Sequence, residues 1–165
     1  PVERNQLEKV FVAYDSKYGN TKLAAENILA GIKESSAIET AIGYIKEINV
    51  SNVAGYDVIV LGAPNHMGRP SRTMTKFVEE LSGQNLKAKQ VAVFGTYSGK
   101  VRPVDRAVKK MERMIQQKMP NLNIIKPTLS VKVNGVSGPL VEGELPKCVE
   151  FGKAIAAQTR GQTSS

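Results

Sequence analysis

Along this chain, short apolar runs alternate with longer stretches in which apolar residues return every three or four positions. Val10-Phe11-Val12-Ala13, Val58-Ile59-Val60-Leu61-Gly62 and Val91-Ala92-Val93-Phe94-Gly95 are almost wholly apolar. Such runs predict parallel strands covered on both faces. Ile38–Tyr44 alternates loosely and predicts an edge strand, and Leu129-Ser130-Val131-Lys132-Val133 a fifth strand. The stretches between them read as helices. One opens at Lys22-Leu23-Ala24-Ala25 and fades near Gly31-Ile32-Lys33. A second carries Met74, Phe77, Val78 and Leu81, and a third carries Val104, Ala107, Val108, Met111, Met114 and Ile115 before Pro120 ends it. The last covers Glu142–Gln158 with Leu145, Val149 and Ala156. Ala63–Pro70 and Thr96–Lys100 are rich in turn formers and read as loops.

Strands alternating with helices imply an α/β fold, a three-layer doubly wound five-stranded parallel sheet with right-handed crossovers. The usual order for five strands is 2-1-3-4-5. In that order the loops after strands 1, 3 and 4 meet at the carboxyl edge, beside the switch point where ligands bind. They are 15–20, 63–70 and 96–100, the turns richest in unusual residues. The 165 residues suit a single domain, with 1–8 as an N-terminal extension and 159–165 as a loose tail.

Composition narrows the setting. No apolar run approaches a membrane span, the first residues have no signal-peptide core, and one cysteine, Cys148, cannot form an internal disulfide. A cytoplasmic protein with no membrane contact is the plain expectation. The formal net charge is +8. Much of it falls at helical spacing, as in Arg106, Lys109, Lys110 and Arg113, and aromatics make up only 5% with none interleaved among the basic residues. Helix faces kept in solvent account for such runs, and nucleic acid is not an expected partner.

The stretch from Val10 to Thr21 carries the chemistry. A strand passes through a turn with hydroxyls and a glycine, Ser16-Lys17-Tyr18-Gly19-Asn20-Thr21, straight into a helix. The helix's unpaired amides and the turn's own N–H groups make an anion site suited to a phosphate monoester. Other chemistries fail on spacing. Ser98 in Gly95-Thr96-Tyr97-Ser98-Gly99 stands one place too late for a nucleophile elbow. Gly95 to Lys100 is one residue short of a P-loop. One histidine and one cysteine cannot build a common zinc site, so no metal is expected; no catalytic residue is singled out. A phospho-receiver needs an aspartate at the end of strand 3, where this chain has Leu61-Gly62-Ala63.

Tyr14-Asp15-Ser16-Lys17-Tyr18-Gly19-Asn20-Thr21 resembles the FMN-phosphate loop of flavodoxins. Leu61-Gly62-Ala63-Pro64-Asn65 is similar to the strand 3 exit of that superfamily, and Gly95-Thr96-Tyr97-Ser98-Gly99 to its flavin-stacking turn. Tyr18 departs from the pattern where many members carry Ser or Thr, and the flavin-loop Trp is missing, since the chain has none. The resemblance implies a short-chain flavodoxin with FMN as cofactor. Ser16, Lys17, Tyr18, Gly19, Asn20 and Thr21 would enclose the phosphate. Pro64 and Asn65 would border the ribityl chain and ring edge, with His66, Met67 and Gly68 near the reactive edge. Tyr97 would stack on the ring while Thr96 and Gly99 offer backbone contacts. Gly68, free in the sign of φ, would be the point of a backbone flip toward the reduced ring.

The same resemblance implies a low-potential electron carrier that meets redox proteins by transient contact. The alternatives are an FMN-dependent NAD(P)H:quinone oxidoreductase, with NAD(P)H as a partner, and the flavodoxin module of a diiron flavoprotein. Lys17, Arg69, Arg72, Lys100 and Arg102 lie in the loops that would surround the ring. Their field would favour the anionic reduced flavin and attract acidic partners or nucleotide phosphates.

Overall fold

A computed structural model describes residues 7–99 and 102–163, with side chains described through residue 159. Most of the predicted extension, together with Lys100 and Val101, lies outside the described residues. The elements are β1 (Glu8–Tyr14), α1 (Asn20–Ile32), β2 (Ile38–Tyr44), a short α2 (Val50–Val53) and β3 (Val58–His66). There follow β4 (Arg69–Pro70), α3 (Arg72–Ser82), β5 (Gln90–Ser98), α4 (Arg106–Lys118), β6 (Asn123–Ile124), β7 (Leu129–Val133) and α5 (Glu144–Thr163).

The parallel sheet runs β2-β1-β3-β5-β6, with β7 also pairing β5. This is the 2-1-3-4-5 order predicted for a flavodoxin-like fold, with its fifth position built in two pieces. Between those pieces Pro127 has no amide to donate to the ladder.

Alternation along the strands sorts the core into two layers, because successive side chains point to opposite faces. Val10, Val12, Val58, Val60, Ala92 and Phe94 meet α1 and α5 through Ala24, Ala25, Ile28, Cys148, Phe151 and Ile155. Phe11, Ala13, Ile59, Leu61, Val91 and Val93 meet α3 and α4 through Met74, Phe77, Leu81, Val108, Met111 and Ile115. Helices α1 and α5 cross backbone to backbone. A Cβ on Gly31 would lie 2.1 Å from the Val149 carbonyl oxygen, and one on Gly152 would lie 2.0 Å from that of Ile28.

The structure corrects the sequence reading in four places. The predicted loop from Ala63 to Pro70 is mostly strand: β3 continues to His66 and returns as β4 through a two-residue turn. Met67 and Gly68 have φ of 55° and 83°, the positive pair whose twist matches a tight hairpin. Thr96-Tyr97-Ser98 likewise belongs to β5 and not to a loop, because β7 pairs with it as far as Ser98. The short α2 was not foreseen; Asn49 caps it by accepting from the Ser51 N–H at 3.1 Å. The last helix continues to Thr163, past the point where a tail was expected. Thr159 there is buried and its hydroxyl donates to the Ile155 carbonyl at 2.8 Å.

Candidate functional site

The carboxyl ends of β1, β3 and β5 open into one cleft, where sheet topology places ligands in folds of this kind. It holds about 470 Å³ of space, part of it open to solvent. Ser16, Lys17, Tyr18, Asn20, Thr21, Pro64, Asn65, His66, Thr96 and Tyr97 line it, and so do Ser98, Val133 and Val136. Ten of the fourteen residues singled out in the sequence therefore share one wall-to-wall space. Gly19, Met67, Gly68 and Gly99 do not line it. Gly19 is the residue before α1, at φ 91°. Met67 and Gly68 form the hairpin tip, with Met67 97% exposed, and Gly99 follows the end of β5.

The turn from Ser16 to Gly19 is set by the Ser16 hydroxyl. Its oxygen accepts from the N–H of Gly19 at 3.1 Å and of Lys22 at 3.4 Å. Gly19 supplies no side-chain cap and the first turn of α1 has no acid. The amides of Asn20 and Thr21 have no intrahelical carbonyl to meet and no other partner among the described residues. They form a positive helix end with no acid in its first turn. The Lys17 ammonium sits 5.3 Å from the centre of the Tyr18 ring.

Two further polar features hold the far wall. The buried hydroxyls of Thr21 and Thr96 are 2.8 Å apart, tying the start of α1 to β5 across 75 residues. Whichever hydroxyl donates in that pair, the other keeps its proton for a ligand. Asn65 accepts the Gly68 N–H at 2.6 Å through Oδ1, which locks the hairpin turn. Its Nδ2 is buried and meets no acceptor among the described residues. A buried amide nitrogen without a partner costs roughly 1–3 kcal/mol, so this donor is ready for an acceptor brought from outside.

The sequence reading missed Ser98, Val133 and Val136. The last two come from the end of β7 and the turn that follows it. There the Asn134 N–H donates to the Pro139 carbonyl at 2.8 Å. The turn also closes on the anion loop. A Cβ on Gly138, whose φ is 95°, would lie 2.4 Å from Asn20 Oδ1 and 2.7 Å from its Nδ2. The available signal was Asn134-Gly135-Val136-Ser137-Gly138-Pro139, a run of turn formers directly after the fifth strand.

Away from the cleft, Cys148 is buried in α5, where burial and then the nearby Glu144 carboxylate push its thiol up to about 11. Among the described residues no helix is long and apolar enough to cross a membrane.

Comparison with known proteins places this arrangement. A family model described as "Flavodoxin domain" matches residues 11–133. A flavodoxin of Aquifex aeolicus is 31% identical over 77 residues, which is 47% of this chain and 42% of that protein. A flavodoxin of Megasphaera elsdenii is 35% identical over 91 residues, 53% of this chain and 64% of that one. The chain spans about half the length of the curated relatives it matches. Among solved structures, a flavodoxin from the domain Archaea superposes with a TM-score of 0.77 at 22% identity, covering 92% of this chain and 99% of that one. At that identity the superposition speaks for the fold alone.

Proposed function

Because this chain belongs to the flavodoxin family, we propose that its cleft holds FMN and that the protein carries electrons between redox partners. The observation that carries the reading is the donor set of the cleft. Free first-turn amides, hydroxyls at Ser16 and Thr21 and the Asn20 side chain suit a phosphate at one end. The unpartnered Asn65 amide nitrogen and the Tyr97 face suit a flat, polar-edged ring at the other. No acidic side chain lines the cleft among the described residues.

In this reading Ser16, Lys17, Tyr18, Gly19, Asn20 and Thr21 hold the phosphate through charge-assisted hydrogen bonds of roughly 1.5–3 kcal/mol each. Pro64 and Asn65 border the ribityl chain and ring edge. Tyr97 stacks on the ring, and Thr96 and Gly99 offer backbone groups. His66, Met67 and Gly68 stand at the reactive edge. Met67 holds a positive φ, a costly conformation for a residue with a side chain, and Gly68 tolerates either sign. The turn they form, at the rim beside His66, is thus the segment best able to reorient a peptide group toward the ring. The bound flavin would supply the redox chemistry, and the protein's amides and charges would tune it. We also place the carrier in the cytoplasm, a reading supported by its single, buried cysteine.

The test is titration of FMN with apoprotein. FMN fluorescence is expected to fall to a saturating endpoint, with riboflavin, which lacks the phosphate, bound far more weakly. Fluorescence that stays unchanged through an excess of protein would overturn the assignment. Steady turnover of NAD(P)H with a quinone would replace the carrier by an oxidoreductase.

A further inference from the structure

Beside the cleft lies a groove that does not line the cofactor space. This groove, between the β3–β4 hairpin, α3 and α4, is lined by Arg69, Arg72, Lys76 and Lys110, with Glu79 at one end. Arg72 and Lys76 stand four residues apart on α3, and Arg106, Lys110 and Arg113 form a stripe at i, i+4 and i+7 on α4. Like charges at such spacings repel. Burial, followed by the neighbouring charges of Arg69, Arg106 and Arg113, holds the Lys110 ammonium below the usual lysine range.

The arrangement works against the helices that bear it. Arg72 opens α3, whose first turn contains no acid, and Arg106 opens α4, where the one acid at the start is the N-cap Asp105, paired with Lys109. A cation at a helix N-terminus adds to the positive end of the macrodipole and is unfavourable there. Elsewhere the same chain pairs its cations readily: Lys9 with Glu39, Lys87 with Asp57, Lys126 with Glu112 and Lys147 with Glu144. Neither the four groove cations nor Arg106 and Arg113 have a carboxylate at ion-pair distance among the described residues. Four unpaired cations therefore line one groove, and the α4 stripe adds Arg106 and Arg113 beside it.

That face touches the cleft. The Arg106 stem packs on the hairpin tip, since a Cβ on Gly68 would lie 2.9 Å from Arg106 Cδ. Arg69 pairs across the hairpin with His66, which lines the cleft. Between the two sites stands Met67, fully offered to solvent. Methionine is a compliant apolar contact at surfaces that meet more than one shape.

We propose that the Met67 tip and the cations of Arg69, Arg72, Lys76, Arg106, Lys110 and Arg113 form the docking face for a protein partner that presents a cluster of carboxylates. The inference rests on the carrier reading for what the partner does, and adds its charge and where it sits. An acidic partner supplies the carboxylates that the fold omits, and Met67 supplies a dry contact within one residue of the cleft wall. Steering by opposite charge suits a transient encounter, because it raises the association rate more than the final affinity. A nucleic acid fits less well, because the groove lining offers no aromatic ring for a base to stack on.

The test has an arm that needs no flavin. Decaglutamate added to the protein at low ionic strength is expected to shift the amide resonances of Arg69, Arg72, Lys76, Arg106 and Lys110. Affinity should fall roughly tenfold or more in Arg72→Glu/Lys76→Glu/Lys110→Glu. Shifts scattered over the surface, or equal affinity in the variant, overturn the proposal, as does tighter binding of an oligodeoxynucleotide of matched charge on the same amides. In the second arm the reduced, FMN-loaded protein passes one electron to a ferric haem, leaving it ferrous. With acidic cytochrome b5 the rate should fall as salt rises and fall again in the variant. With basic cytochrome c it should rise with salt. The same salt slope for both acceptors overturns the proposal. A protein that binds decaglutamate on these residues yet takes up no FMN refutes the carrier reading while supporting the face.

Discussion

Gly135 and Gly138 lie in the same turn after β7, both at positive φ, 66° and 95°. They differ in what a side chain would meet. A Cβ on Gly135 finds nothing within 4 Å, whereas one on Gly138 falls 2.4 Å from Asn20 Oδ1, 2.7 Å from Nδ2 and 2.9 Å from Cγ. Alanine at either position carries the left-handed penalty of roughly 1–2 kcal/mol, less roughly 0.4–1 kcal/mol from a stiffer unfolded chain. Each variant is thus expected to lose about 1 kcal/mol in a urea titration. The clash at Gly138 adds little to that loss, because the Asn20 amide has no hydrogen bond of its own to break among the described residues. It must instead swing out of the anion loop. If that amide meets the FMN phosphate, Gly138→Ala removes one charge-assisted bond of roughly 1.5–3 kcal/mol. At about 1.4 kcal/mol per decade, the FMN dissociation constant should rise roughly ten- to a hundredfold. Gly135→Ala should leave it nearly unchanged. FMN fluorescence titration of the two apoproteins reads the difference directly. Equal dissociation constants in the two variants would show that the Asn20 side chain has no part in holding the phosphate.

Three other outcomes are expected. Gly31→Ala should destabilise by about 1–3 kcal/mol by forcing α1 and α5 apart, although alanine is otherwise favoured over glycine in a helix by about 1 kcal/mol; a rise in the urea midpoint would refute the close crossing. Arg69→Glu/Arg102→Glu should make the second reduction potential of bound FMN more negative, on the order of tens of millivolts at low salt, with the effect shrinking as salt is added; a redox titration with no change at low salt would sink that reading. Cys148 should resist alkylation at mildly alkaline pH until the chain is unfolded in guanidinium. Because its folded pKa is raised from 9.0 to about 11, its contribution to stability is complete below the unfolded value and is lost as pH climbs toward the folded one. Rapid labelling of the native protein would contradict its burial.

The parallel core was legible because strands covered on both faces must be apolar throughout, and Val58–Leu61 and Val91–Phe94 announce that directly. Their far ends were not. Pro64, Gly68 and Pro70 read as loop, yet they are held in a hairpin by one Asn65 hydrogen bond and by a positive φ at Met67 that its residue type disfavours. Tyr97 and Ser98 are strand because β7 lies alongside, a pairing across about 35 residues that no local pattern announces, while Thr96 also pairs with Pro64 of β3. The turn from Ser16 to Thr21 was readable as one wall of the cleft because its residues are contiguous in sequence. The wall contributed by Val133 and Val136, and the pressure of Gly138 on Asn20, arise from tertiary approach. So do the paired hydroxyls of Thr21 and Thr96, and the convergence of two cationic helix starts on the hairpin.

The glycine crossing of the first and last helices has a consequence for biosynthesis. Helix α1 begins at the anion loop, and its inner end rests on backbone that is not made until Val149–Lys153. A chain still tethered at the ribosome with those residues in the exit tunnel can form the central strands, but its opening helix lacks one of the surfaces it is fitted to. Full packing of α1 therefore waits until Val149–Lys153 has left the tunnel.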